Sequence, residues 1–128
     1  MRENGILTGE FRIDEEAPRA GTAVLVVHGE ADLHVAPDLR DRLATVIDSG
    51  VRALVVDLSD TTFLDSMTLG VLLGGLKRIR ARNGQLRLVA PRPEIRRIFE
   101  ITLLDRIFPL DETRAAALAA LEDGVDAG

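Results

Sequence analysis

Cysteine, tyrosine and tryptophan are absent from this chain, and four phenylalanines supply all of its aromatic surface. Without cysteine there is no disulfide, no thiol catalysis and no Cys-based zinc site. With so few rings, a base-stacking platform for single-stranded nucleic acid is not expected. Long apolar runs are missing too, and nothing approaches the roughly 18–20 residues that a membrane span needs. The opening MRENGILTGE carries Glu3 and Glu10 and no extended apolar stretch, so a secretory leader is not expected. These absences point to a cytoplasmic protein with no Cys-based metal site and no membrane span; no cofactor, resident metal or direct nucleic-acid partner is expected.

What is present fits one folded domain. The 128 residues are 46% hydrophobic and 29% charged, enough apolar side chain for a single core. The net charge of −5 is unevenly spread. Residues 1–76 hold 6 basic and 13 acidic side chains, residues 77–106 hold 9 and 3, and residues 107–128 hold 1 and 5. The basic middle reads as a solvated helical face rather than a nucleic-acid footprint, because the chain as a whole is acidic.

Hydrophobic spacing divides the chain into alternating strands and helices. EFRI is a short strand, DEEAPRAGT a turn-rich connection, and AVLVVHG a buried strand ending at Gly29. Pro37 opens a helix whose Leu39, Leu43, Val46 and Ile47 share one face, with Gly50 as its stop. RALVVDLSD is the next strand. A second helix runs from Asp65 on a stripe of Leu69, Leu72, Leu73, Leu76 and Ile79, and ends near the RNG at 82–84. QLRLVA alternates as a strand, and Pro93 opens a third helix with Ile95, Ile98, Phe99 and Thr102 on its buried side. RIFPL is a short last strand, and DETRAAALAALE a terminal helix. Strands joined by helices of this length imply parallel pairs and crossovers.

The stretch FLDSMTLGVLLGGL carries the chemistry. At a strand-to-helix junction either Asp65 or Ser66 can cap the free N–H groups of the helix start. A nucleophilic serine is disfavoured, because the elbow usually reads G-x-S-x-G and this one has no flanking glycine. Gly70, Gly74, Gly75 and Lys77 fall inside the predicted helix rather than in a phosphate-binding loop; close packing of helix on sheet explains such glycines better. Asp57 and Asp65 could pair as carboxylates, and His28, Asp32 and His34 could suggest a metal, but strand ends and loops of this kind have no fixed ligand geometry. A phosphoryl group on Ser66 is the remaining reading. A helix N-terminus tolerates phosphate, so the modification would alter a binding surface without unfolding the domain.

VVDLSDTTFLDSMTLGVLLGGLKRIRARNGQLRLVAPRPEIRRIFEITLLDRIFPL resembles the STAS domain of bacterial anti-sigma factor antagonists, and VLVVHGEADLHVAPDLRDRLATVIDSG is similar to the first half of that domain. The family pattern D-S-[ST]-G-L-G-V-L-L corresponds to Asp65, Ser66, Met67, Thr68, Leu69, Gly70, Val71, Leu72 and Leu73. Four positions depart from it. Met67 replaces a small hydroxyl residue, Thr68 replaces glycine, Ala31 stands for the leucine of GELD, and Leu103 for a glycine after the third helix. Thr68 is thereby a second candidate acceptor, and Leu103 falls where glycine is the easy left-handed cap.

The resemblance implies an α/β fold with a small mixed sheet of four to five strands and about four helices packed mainly on one side. It places the domain at residues 10–121, between an N-terminal segment 1–9 and a C-terminal tail 122–128. It implies an antagonist that, unphosphorylated, binds an anti-sigma factor with serine kinase activity and so releases a sigma factor. Phosphorylation of Ser66 switches binding off, and a PP2C-type phosphatase restores it; ATP belongs to the kinase. The expected partner-binding residues are Asp32, Asp65, Ser66, Met67, Thr68, Leu69 and Gly70, with no catalytic residue. The alternative is a non-switching STAS module in a transport or signalling assembly, or a small-ligand sensor.

Overall fold

The computed structural model describes residues 11–127, with side chains described as far as Leu121. The segment 1–9 lies outside the described residues, as do the side chains of the tail. Six strands form one sheet: β1 (Arg12–Arg19), β2 (Thr22–Ala31), β3 (Ala53–Asp57), β4 (Thr61–Leu64), β5 (Gln85–Val89) and β6 (Leu110–Asp111). The main order is β1-β2-β3-β5-β6, with β1 antiparallel to β2 and the other neighbours parallel. Four helices complete the fold: α1 (Ala36–Asp48), α2 (Ser66–Arg80), α3 (Pro93–Ile101) and α4 (Arg114–Ala127).

The sheet has one strand more than the four to five expected, for a local reason. β2 is ten residues long and outruns β3. Its last three residues pair in parallel with the four-residue β4, Gly29 against Thr61 and Ala31 against Leu64. The register shifts between Gly29 and Glu30, and Gly29 has φ +91°, a backbone geometry that glycine adopts without a Cβ penalty. A strand this short, led in by turn residues, has too little periodicity to stand out in the sequence.

β1 corrects a second reading. DEEAPR is strand rather than turn, and the connection shrinks to Ala20 and Gly21. β1 is an edge strand, and the register shift between Glu16 and Arg19 brackets Pro18. An edge bulge is where a strand accommodates proline, and its charged side chains discourage further pairing.

Alternation along the central strands sorts the core onto two faces. Leu25, Val27, Leu54, Val56, Leu86 and Leu88 pack beneath α1, α2 and α3. Val24, Val26, Val55 and Val89 point the other way, onto Ala117 and Leu121 of α4. Three helices therefore cover one face and a single helix the other. Each large aliphatic side chain so buried is worth about 1.5–3 kcal/mol before conformational entropy is counted. Phe99 and Phe108 close the far end in an edge-to-face contact, centroids 5.8 Å apart.

The end of α3 differs from its expected burial. Thr102 is exposed and caps the helix, its hydroxyl donating to the Ile98 carbonyl at 2.7 Å. Leu103 follows with φ +62° and ψ +15°, the left-handed conformation expected at a helix-ending glycine. For a leucine this costs about 1 kcal/mol, and the side chain is 54% exposed, so it recovers little by burial. Leu103→Gly is therefore expected to stabilise the fold by roughly 0.5 kcal/mol, net of glycine's greater unfolded-state freedom. A thermal melt checks this; a lower melting temperature would mean that the leucine's packing outweighs its strain.

Candidate functional site

The junction between β4 and α2 assigns the cap unambiguously. Asp65 has extended backbone angles, φ −103° and ψ 178°, and its Oδ1 accepts the Thr68 N–H at 2.9 Å. With the capping role filled, Ser66 is the first residue of the helix and is exposed. Its hydroxyl has no hydrogen-bond partner among the described residues. Thr68 is fully buried, and its hydroxyl donates to the Ala31 carbonyl at 2.8 Å. The same carbonyl accepts the Asp65 N–H at 3.4 Å. These bonds stitch the end of β2 to the start of α2 and bring Asp32, the next residue, alongside the serine's turn.

Asp32 also opens the turn that leads into α1. Its carboxylate accepts the His34 N–H at 2.9 Å, and its carbonyl accepts the N–H groups of Val35 and Ala36, both at 3.1 Å. Three large apolar side chains in the neighbouring segments are open to solvent: Leu33 next to Asp32, Phe63 on β4 and Met67 next to Ser66, 57%, 47% and 53% exposed.

From Ser66 a groove of about 380 Å³ runs between α1 and α2, with Arg40 and Leu43 on one wall and Met67, Gly70 and Gly74 on the other. The glycines correct an expectation. A Cβ at Gly75 would lie 3.3 Å from Leu43 Cδ1, so this one does permit close packing, against α1 rather than the sheet. A Cβ at Gly70 or Gly74 would meet nothing within 4 Å. Both are exposed, and their missing side chains keep the groove open.

At its far end the groove is tied by Asp48, which receives bonds from Arg78 at 2.9 and 2.6 Å. The Arg78 hydrogen bond is the main cause holding the Asp48 carboxyl below its ordinary value of 3.8. The pair's contribution is thus complete above that value and fades as pH falls through the lower one of the folded protein.

Several residues singled out in the sequence do not join the site. Thr68 and Leu69, expected among the partner contacts, point inward with 0% and 7% exposure. A buried, hydrogen-bonded Thr68 is also a poor second acceptor. Asp57 lies on the α4 side, accepting bonds from the Ser59 N–H and hydroxyl and from Arg114, and does not pair with Asp65. His28 is held between Asp14 and Asp60, each at 3.0 Å, away from Asp32 and His34. The basic segment is largely used within the fold. Arg78 and Arg82 bind Asp48, Arg87 binds Asp111, and Arg80, Arg92 and Arg96 donate to backbone carbonyls. Sequence reasoning passed over Leu33, Phe63 and Arg40. Arg40 was discoverable as the residue one turn before Leu43 on the helix face that meets α2.

A family model described as the STAS domain matches residues 15–117. The anti-sigma-B factor antagonist of Staphylococcus aureus is 31% identical over 86 residues, 67% of this chain and 80% of its own length. An anti-sigma factor antagonist from Mycobacterium paratuberculosis has a TM-score of 0.83 at 32% identity, covering 91% of this chain and 99% of that one. The Bacillus cell fate determinant SpoIIAA in its phosphorylated form is 25% identical, with a TM-score of 0.69, covering 85% of this chain and 98% of that one.

Proposed function

The chain belongs to the STAS-domain family of anti-sigma factor antagonists, and from that premise we propose that it is a partner switch thrown at Ser66. Unphosphorylated, it binds an anti-sigma factor through the face around Asp32, Asp65, Ser66, Met67 and Gly70, so that a sigma factor is released. The anti-sigma factor is itself the serine kinase. It transfers phosphate to Ser66, the complex dissociates, and a PP2C-type phosphatase resets the switch. The acting unit is the domain at residues 10–121, working in the cytoplasm; no helix among the described residues is long and apolar enough to cross a membrane.

The observation that carries this reading is the division of labour at the helix start. Asp65 caps α2, which leaves the neighbouring Ser66 hydroxyl exposed and without a partner among the described residues. A serine needed for capping would lose its structural bond on modification; this one loses nothing. The helix end favours the incoming charge, and no acidic residue occupies its first turn. Added charge of about −1.5 to −2 then falls beside the exposed Met67, on the face where a partner would exclude water. Met67 stands where the family has a small hydroxyl residue, and at 53% exposure it shapes the approach to Ser66.

Mass spectrometry of the protein purified from its own cells tests the switch. A phosphate on Ser66 that disappears in a Ser66→Ala strain is the expected result. Absence of phosphate under every growth condition, or phosphate confined to Thr68, would overturn it.

A further inference from the structure

We infer that Arg40 is the internal counter-ion of phosphorylated Ser66, so that the modified side chain and Arg40 together close the groove between α1 and α2. The inference rests on the Ser66 reading and adds to it a mechanism for hiding the docking surface.

Both residues line the same groove, and the helices provide a ruler for their separation. Asp48 pairs with Arg78 at the lower end, and Leu43 lies against Gly75 one step above. α1 and α2 therefore run side by side in the same direction. Carried back three residues along both helices from the Leu43–Gly75 contact, that register places Arg40 level with Leu72. At about 1.5 Å of rise per residue, the level of Ser66 is roughly 9 Å away, between one and two helical turns. A long side chain and a phosphoserine reaching toward each other span that gap. Gly70 leaves the path clear, since even a Cβ there would touch nothing within 4 Å.

Arg40 is also the arginine available for the task. Arg78, the other cation on the groove, is held by Asp48 in two bonds. Arg40 is exposed and has neither a hydrogen bond nor an ion pair among the described residues. Its acidic neighbours Asp38 and Asp41 stand two positions before it and one after, spacings at which helical side chains do not face each other. A planar guanidinium can grip phosphate through two parallel hydrogen bonds, which an ammonium cannot. Phosphorylation then acts twice, placing charge in the proposed docking face and drawing Arg40 across the groove past Gly70.

The test is a phosphorus NMR titration of full-length protein carrying phosphoserine at 66, installed during translation so that no kinase is needed. The second phosphate ionisation, ordinarily near pH 6, is expected to rise by about 0.5–1 unit in Arg40→Ala. Arg40→Lys should recover part of the difference. The helix terminus acts equally on all three proteins and drops out of the comparison. Superimposable titration curves for the parent and Arg40→Ala would overturn the proposal. Because the phosphate is installed directly, that result would leave phosphorylation of Ser66 in cells untouched, and the mass-spectrometric test would stand or fall separately. Melting of unphosphorylated Arg40→Ala serves as the folding control, expected to match the parent.

Discussion

Replacing Ser66 by glutamate is expected to weaken binding to the anti-sigma factor about 100-fold, equivalent to roughly 2.7 kcal/mol, while the protein keeps its fold. The two halves of this expectation come from the same residue seen from two sides. Toward the domain, position 66 begins α2, where a carboxylate is favoured by about 0.3–1 kcal/mol. The hydroxyl it replaces makes no bond within the described residues, so nothing is lost. The melting temperature should therefore hold or rise slightly. Toward the proposed partner, position 66 stands beside the exposed Met67, whose apolar surface would be desolvated by docking on this face. A charge that a partner desolvates there costs several kcal/mol. Glutamate carries one charge and lacks the tetrahedral phosphate, so true phosphoserine should weaken binding further. Titration calorimetry with the purified anti-sigma factor, alongside a thermal melt, reads both halves. Ser66→Ala should bind like the parent. Undiminished affinity of Ser66→Glu would place the docking face elsewhere, and a large drop in melting temperature would mean that Ser66 supports the helix after all.

Much of the architecture that positions this site is legible in the amino-acid sequence. The long central strands and the stripes of α1, α2 and α3 are regular enough to be read from spacing, and Pro37 and Gly50 bracket α1 as expected. The cap is ambiguous at that level because Asp65 and Ser66 are equally suited to the role; only the backbone angles choose between them. Naming a contiguous motif as the partner surface misplaces Thr68 and Leu69 for a geometric reason. Consecutive helical residues point about 100° apart, so a run of motif positions cannot all face outward. Positions 68, 69, 72, 76 and 79 turn to the core, whereas 66, 67, 70 and 74 are exposed. Leu33 and Phe63 escape a reading by periodicity because they belong to an irregular loop and a four-residue strand. The groove escapes it because a helical glycine reads the same in sequence whether its missing side chain admits a neighbour, as at Gly75, or leaves space, as at Gly70 and Gly74.

The same distinction among glycines yields the largest expected effect on stability. Gly84→Ala should destabilise the fold by about 3 kcal/mol, the upper end of what overpacking a tight site typically costs. Gly84 carries the chain from α2 into β5, its N–H donating to the Ile79 carbonyl at 2.8 Å. A Cβ there would lie 2.6 Å from Ile79 Cγ1 and 2.8 Å from the Arg52 carbonyl oxygen, and neither neighbour can yield cheaply. Ile79 is fully buried on the inner face of α2. The Arg52 carbonyl accepts the Gln85 N–H at 2.9 Å and so sets the first rung between β3 and β5. Relieving the clash requires moving either the core side chain or the start of a central strand. For a domain of this size the loss corresponds to a melting temperature lower by about 10 °C. Below its melting range, Gly84→Ala should still bind the anti-sigma factor with the parent's affinity, because Gly84 lies at the end of α2 away from Ser66. Loss of stability without loss of binding in Gly84→Ala, against loss of binding without loss of stability in Ser66→Glu, would separate the scaffold from the switch. A Gly84→Ala protein that melts within a degree of the parent would show that the α2–β5 turn is free to shift, and the rigid placement of α2 would then need another source.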